Sequence, residues 1–214
     1  MSAADFLLAP EVQKLLKAVF AKPAARFSVN ELAKAARLDA QEVERTLEHL
    51  VKNGILSRHK AEADEPETVG ANASFVFYGE LRSIALKSFA AAEPIRTMLR
   101  SKFKDSVLRA FLLGEDGDAT VELLVVHGDR VPDESEMSAA CQKLSKSLGR
   151  HLKVHVISAR KYAAALSGHD GLGQKLAAPA CLEVIAEGDT KARPPAERAG
   201  LIESARKKLA ALGR

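Results

Sequence analysis

Apolar residues recur at helical spacing three times near the start of the chain. The repeats cover residues 10–21, 28–37 and 40–53, with an apolar side chain at every third or fourth position. Ser28 and Asp39 each stand three residues before a glutamate, which is the spacing of an N-terminal capping box. The pattern predicts three helices, and only a short turn separates the second from the third.

A strand and a return strand are predicted to follow the third helix. Residues 55–58 (ILSR) come directly after Gly54, and residues 74–78 (SFVFY) are rich in aromatic and β-branched side chains. The polar stretch between them, residues 60–73, contains proline and glycine and predicts a loop. Three helices and a β-hairpin therefore make up residues 1–80.

Residues 81–104 carry apolar side chains at helical spacing, with basic residues on the remaining positions. Pro94 interrupts the pattern, so either two consecutive helices or one kinked helix is expected. The apolar face of this linker, residues 81–105, either pairs with its twin in a dimer or packs on the segment that follows.

Strand and helix patterns alternate in the second half of the chain. Strands are predicted over residues 107–113, 121–127, 152–157 and 181–185, and helices over 159–167, 171–177 and a stretch capped at Asp133 or Ser135 that ends at Leu148. Residues 106–188 therefore predict a small α/β domain with a mixed sheet, and the whole chain is of the α+β class. Residues 189–214 are basic and predict either a C-terminal helix or a solvated tail.

Composition narrows the classes of protein. Of the 214 residues, 47% are hydrophobic, which is enough for a core in each half, but no apolar stretch approaches the roughly 20 residues that span a bilayer. The N-terminus lacks a signal-peptide pattern, so we expect a cytoplasmic protein without a membrane partner. Cys141 and Cys181 have no metal-ligand spacing, and buried free thiols are expected.

The segment SVNELAKAARLDAQEVERTLEHLVKNGILSRHK resembles the DNA-binding segment of winged helix-turn-helix regulators of the ArsR and MarR kind. The resemblance implies that the helix over residues 40–53 enters the major groove of double-stranded DNA. Its solvent face carries Gln41, Arg45, His49 and Lys52, of which Gln41 and Arg45 are suited to base edges. Phosphate contacts are expected from Ser28, Lys52, Arg58 and Lys60.

Acidic residues limit the expected affinity for DNA. The predicted recognition helix also carries Glu42, Glu44 and Glu48, and the hairpin loop contains the acidic sequence AEADEPETVG. Because phosphate neutralisation dominates affinity, we expect modest, salt-sensitive binding that dimerisation raises. A protein-binding role for this module stays open for the same reason.

The stretch FLLGEDGDATVELLVV resembles the start of nucleotidyltransferase domains of the MNT and DNA polymerase beta superfamily. In that family Gly-Ser ends the first strand, and Asp-x-Asp before an aliphatic LLVV holds magnesium. Here Gly114 matches the glycine, but Glu115 replaces the serine and Thr120 and Glu122 replace the two aspartates. The resemblance therefore implies a degenerate site with no metal, no cofactor and no catalysis, and a solvated acidic turn.

Together these patterns predict a DNA-binding transcriptional regulator with a catalytically inactive nucleotidyltransferase-like domain. That domain would serve for dimerisation, so a homodimer is expected, or for sensing a protein or small-molecule effector. The alternatives are an active nucleotidyltransferase or the antitoxin of a toxin–antitoxin pair, and a protein-interaction module that no longer binds DNA.

Overall fold

Three helices and a small antiparallel sheet begin the chain. The computed structural model describes residues 2–60, 66–116, 120–167 and 171–195. The first elements are α1 (Pro10–Ala21), β1 (Arg26–Phe27), α2 (Val29–Ala36), α3 (Ala40–Lys52), β2 (Leu56–His59) and β3 (Thr68–Ala71), together called the N-terminal unit below. The predicted bounds of α1 are confirmed, and α2 and α3 begin at the predicted caps.

The two caps fix where the second and third helices start. Ser28 and Glu31 form a reciprocal capping box, in which the Glu31 carboxylate accepts from the Ser28 backbone and the Ser28 hydroxyl oxygen accepts from the Glu31 backbone. The Asp39 carboxylate accepts from the backbone N–H of Glu42 at 2.8 Å. Between the helices, Arg37 takes the left-handed conformation that ends α2.

The predicted return strand is wrong. The partner of β2 is β3, and residues 74–78 form a turn followed by the first residue of the next helix. β3 is the central strand of the order β1-β3-β2, so each of its edges is hydrogen-bonded to a neighbouring strand. Its Gly70 lies so near β1 that a Cβ there would be 3.3 Å from the carbonyl oxygen of Ala25, which explains a small residue in a central strand.

Two helices, α4 (Tyr78–Lys87) and α5 (Ala92–Lys102), occupy the linker. This settles the choice between two helices and one kinked helix. Pro94 lies in the first turn of α5, where its missing N–H has no intrahelical acceptor to lose. α4 packs mainly on the N-terminal unit through Ala85, whereas α5 packs on the following sheet through Ile95 and Leu99.

The remaining elements form a mixed four-stranded sheet with helices on both faces. They are β4 (Val107–Glu115), β5 (Thr120–His127), α6 (Glu134–Leu148), β6 (His151–Ser158), α7 (Ala159–Ser167), α8 (Gly171–Ala177) and β7 (Leu182–Ile185). The strand order is β6-β5-β4-β7, in which β5 and β6 are parallel and the other pairs are antiparallel. The predicted α+β class and mixed sheet are confirmed. Asp133, rather than Ser135, caps α6.

Hydrophobic side chains form three clusters. One lies within the N-terminal unit and includes Phe20, one lies between α5, α6 and the sheet, and a smaller one lies under α7 and α8. Cys141 is buried in the second cluster, and Cys181 is half-buried; both are free thiols, as expected. No helix in the described ranges is both long and apolar enough to cross a membrane. The predicted C-terminal helix, from residue 196 onward, lies outside the described residues.

Candidate nucleic-acid interface

One face of α3 presents polar side chains to solvent. Gln41, Arg45, His49 and Lys52 are all exposed and follow one another at intervals of three or four residues. The opposite face buries Val43, Leu47 and Leu50 in the core of the N-terminal unit. The predicted stripe is therefore brought together on a single surface, fixed by the burial of the other side. We call these four residues the α3 stripe.

The α3 stripe has few internal contacts. The side chains of Gln41, Arg45 and Lys52 form no hydrogen bond or ion pair with any residue in the described ranges. His49 has the amide nitrogen of Asn53 at 3.5 Å, a long contact at the end of the helix. The stripe thus offers two permanent cations and one amide whose hydrogen-bonding groups are directed to solvent.

Ser28 is already engaged at the start of α2. Its hydroxyl lies 3.0 Å from the Glu31 carboxylate and 3.3 Å from the Glu31 backbone nitrogen. Hydrogen bonds from the Ser28 backbone N–H and from the Ser28 hydroxyl hold the pKa of Glu31 below its usual value, because both favour the charged carboxylate. A phosphate bound at Ser28 would compete with this capping box.

Arg58, on β2, bridges α3 and the hairpin. Its guanidinium lies 3.3 Å from the Glu44 carboxylate and 3.3 Å from the Glu67 carboxylate. Two of the acidic side chains that weigh against DNA binding are therefore directed onto an internal cation. Because the Arg58 guanidinium is paired with both glutamates, a phosphate would have to compete with them to bind it.

The hairpin loop begins at Lys60, which is exposed at the end of β2. Glu62, Asp64 and Glu65 of the acidic sequence lie outside the described residues. Glu67 is the acidic residue of that sequence that is described, and it is paired with Arg58. The exposed cations nearest the hairpin in chain order are therefore Lys52 and Lys60.

The turn between β4 and β5 is built differently from the solvated loop expected from the sequence. Gly114 lies at a bulge in the β4–β5 ladder with φ +135°, a conformation that favours glycine. The bulge places the next side chain, Glu115, inside the molecule, where only 6% of it is exposed. The expectation that Glu115 is a solvated acid is wrong, because two arginines draw the carboxylate inward.

Glu115 bridges two guanidinium groups. Its Oε2 accepts from Nη2 of Arg82 on α4 at 2.7 Å, and its Oε1 accepts from Nε of Arg150 at 2.7 Å. Arg150 is fully buried and also donates to the carbonyl oxygen of Phe20 in α1, at 3.0 Å. The β4–β5 turn is thus tied to the N-terminal unit and the linker.

Glu122 belongs to a separate ion pair on the other face of the sheet. Glu115 is opposite Val121, which packs in the α6-side cluster, whereas the Glu122 carboxylate binds Lys175 of α8. The Lys175 hydrogen bond holds the pKa of Glu122 below its usual value, although partial burial acts in the opposite direction. The two glutamates therefore project from opposite faces and do not converge on a shared point.

Thr120 contributes its backbone to this turn. Its N–H donates to the Asp116 carboxylate at 2.8 Å, and its carbonyl accepts from the Asp116 N–H at 3.0 Å. These two hydrogen bonds join Asp116 directly to the first residue of β5. Among the described residues, no group of three or more His, Cys, Asp or Glu side chains is arranged to hold a metal ion.

Sequence reasoning missed the cationic partners of both glutamates. Arg82 and Arg150 lie 33 and 35 residues from Glu115, and Lys175 lies 53 residues from Glu122. No local pattern links such distant positions. The one local signal was Arg150 itself, a charged residue that lies between Gly149, which ends α6, and the first residue of β6.

Comparison with protein-family models, curated proteins and solved structures finds no match to this chain.

Proposed function

We propose that this protein is a cytoplasmic, homodimeric DNA-binding transcriptional regulator, in which the N-terminal unit is a winged helix-turn-helix and α3 is the recognition helix. The observation that carries the proposal is the α3 stripe. A helix capped at Asp39 buries one face and leaves Gln41, Arg45 and Lys52 exposed without internal partners. Such a helix fits the major groove, where bidentate donors distinguish the bases.

The order of elements supports the same proposal. A helix, a short strand, two helices joined by a short turn and a two-stranded hairpin follow one another in the N-terminal unit. The hairpin lies beside α3, since Arg58 and Glu44 connect them. In a winged helix this hairpin is the wing, which runs along the phosphate backbone next to the recognition helix.

Pairing with Arg58 offsets part of the acidic charge beside α3. Glu44 and Glu67 share one guanidinium, so the negative potential they would otherwise place beside a phosphate is reduced. We therefore assign base contacts to Gln41 and Arg45, with His49 beside them, and phosphate contacts to Lys52 and Lys60. Arg58 links the hairpin to α3 and offsets the charge of two glutamates, and Ser28 caps the start of α2.

The four-stranded sheet is proposed to be a nucleotidyltransferase-like domain without catalytic activity. Two-metal nucleotidyl transfer requires carboxylates that converge on ions about 4 Å apart. Glu115 and Glu122 project from opposite faces of the sheet, and each is held by a cationic side chain. The domain would act in dimerisation or in sensing an effector.

DNA binding can be tested by fluorescence anisotropy with DNA from upstream of the protein's own gene, at low and moderate salt. Arg45→Ala should cost about 1–3 kcal/mol on the preferred site and relax sequence preference. Lys52→Ala should weaken binding to all sequences alike and reduce the slope of log K against log salt by about one unit. Arg160→Ala, which removes an exposed arginine from α7, is the matched control and should change neither.

The second candidate function is a protein-interaction module. It is favoured by Arg58, whose guanidinium is paired with glutamates instead of being directed to solvent. If the folded dimer binds no DNA at either salt concentration, this candidate replaces the first.

Catalysis has its own test, which is independent of DNA binding. Incubation with labelled nucleotide and magnesium should give no incorporation into protein or nucleic acid. Incorporation that Glu122→Ala abolishes would overturn the inactive-domain proposal and favour the nucleotidyltransferase or antitoxin alternatives.

A further inference from the structure

An apolar groove lies between the N-terminal segment and α4. Its volume is about 710 Å³, and one wall is formed by residues 3–7. The other wall is formed by α4, whose lining residues are exposed near its start and half-buried at Ile84 and Lys87. The groove-lining residues used below are Phe6, Leu7, Gly79, Glu80, Ser83 and Lys87.

The N-terminal segment is fixed in place yet presents large apolar side chains to solvent. Ser2 and Ala3 both donate to the Glu93 carboxylate of α5, at 3.0 and 2.6 Å. Ala4 is buried, whereas Phe6 is 82% exposed and Leu7 is 55% exposed. An anchored segment that holds two such side chains outward loses the free energy that their burial would supply.

The wall formed by α4 is self-complementary. Glu80 and Lys87 are seven residues apart, or two helical turns, so they lie on the same face about 10 Å apart along the axis. The midpoint between them falls at Ser83 and Ile84, which also line the groove. If two copies of α4 cross antiparallel at this midpoint, Glu80 of each copy meets Lys87 of the other.

Two small residues allow close approach near the crossing. Ser83 at the crossing and Gly79 one turn before it are exposed, and a Cβ added to Gly79 would have no neighbour within 4 Å. Small residues spaced in this way let helix axes pack near the lower limit of interhelical distance. Lys87 donates one hydrogen bond to the Pro179 carbonyl at 3.1 Å, and its ammonium has two further donors.

We propose that this groove is the homodimer interface, in which α4 of two copies pair antiparallel about a two-fold axis at Ser83 and Ile84. Phe6 and Leu7 of each protomer then cover α4 of its partner, and two Glu80–Lys87 pairs flank the axis. The inference rests on the homodimer of the proposed function and deepens it by assigning the surface. Charge complementarity selects a second copy as the occupant, because the face that carries Glu80 and Lys87 in this order matches itself.

The test is a charge swap read by sedimentation-velocity ultracentrifugation across a range of protein concentrations. Glu80→Lys and Lys87→Glu, each alone, turn both attractive pairs into repulsive ones and should raise the dimer Kd roughly tenfold or more. The double variant should return to near the wild-type Kd. An equimolar mixture of the two single variants should form heterodimers, since each copy then supplies the charges that the other lacks.

A second set of variants probes the apolar wall. Phe6→Ser and Leu7→Ser should each weaken dimerisation without loss of helical circular dichroism, because both side chains are exposed in the single chain. Arg160→Glu, a charge reversal on α7, should leave the Kd unchanged. Dimers that persist in all groove variants, or a double variant as weak as the singles, would overturn the inference.

The results separate this inference from DNA binding. A wild-type monomer that binds operator DNA refutes the interface and keeps the DNA-binding role. A dimer that obeys the charge swap but binds no DNA supports the interface and refutes the proposed regulator.

Discussion

Replacing Glu115 by glutamine removes the negative charge between two guanidinium groups. Arg150 is fully buried and Glu115 is 6% exposed, so water cannot substitute for the lost charge. After Glu115→Gln the Arg150 guanidinium keeps its bond to the Phe20 carbonyl and one bond to an amide oxygen, while its Nη1 has no partner in the described structure. Breaking a buried pair from one side costs about 3–5 kcal/mol, and we expect a loss near 3 kcal/mol.

The chain offers a matched control for this prediction. Arg109 donates to Glu183 through Nε at 2.7 Å, the same geometry as the Arg150–Glu115 contact, but about 30% of each side chain is exposed. Glu183→Gln should therefore cost less than about 1 kcal/mol. Urea denaturation followed by circular dichroism gives both free energies of unfolding, provided that the m-value is unchanged.

A second variant separates the charge from the packing. Arg150→Met in the Glu115→Gln background removes the uncompensated cation and keeps an unbranched side chain, so part of the lost stability should return. If Glu115→Gln costs no more than Glu183→Gln, or if adding Arg150→Met destabilises the chain further, burial of an unpaired charge is not what the network prevents.

Three further predictions concern single positions. Gly114→Ala should destabilise by about 1–3 kcal/mol in urea, because φ +135° is strained for any side chain, whereas Gly171→Ala, which meets nothing within 4 Å, should stay within about 1 kcal/mol. Glu122→Gln should cost under about 1 kcal/mol at pH 7. Since the folded pKa is lowered from 4.5, this difference should shrink as the pH falls below 4.5 and vanish below the depressed pKa; a difference that does not shrink below pH 4.5 would contradict it. Burial raises the pKa of Cys141 to about 11 and also raises the pKa of Cys181, but Cys181 is only half-buried. A thiol reagent at pH 8 should therefore label the native protein at Cys181 first, and Cys181→Ser should remove that early phase.

Local patterns predicted the helices of the N-terminal unit well. Apolar spacing with Pro10 at the first position gave both ends of α1, and the polar caps Ser28 and Asp39 gave the starts of α2 and α3. These signals lie within a few residues of the structure they determine. The strands of the mixed sheet followed from the same kind of pattern, most clearly β4 and β5, which are long and rich in aliphatic residues.

The failures have a shared cause in contacts between distant segments. Residues 74–78 have strong strand propensity, but β3 takes the place beside β2 that they were expected to fill. Glu115 was expected in solvent because its neighbours are acidic. Its true environment depends on Arg82 and Arg150, which only the folded chain brings to it.

The contacts of Arg150 also bear on how the chain unfolds. Its bond to the Phe20 carbonyl joins residues 130 positions apart, and the same guanidinium binds the β4–β5 turn. If α1 unfolded first, this buried cation would lose an acceptor, and if the sheet opened first, it would lose its counter-charge. Either opening therefore destabilises what remains, so we expect the N-terminal unit and the sheet to unfold in one cooperative step and to share a single level of hydrogen-exchange protection.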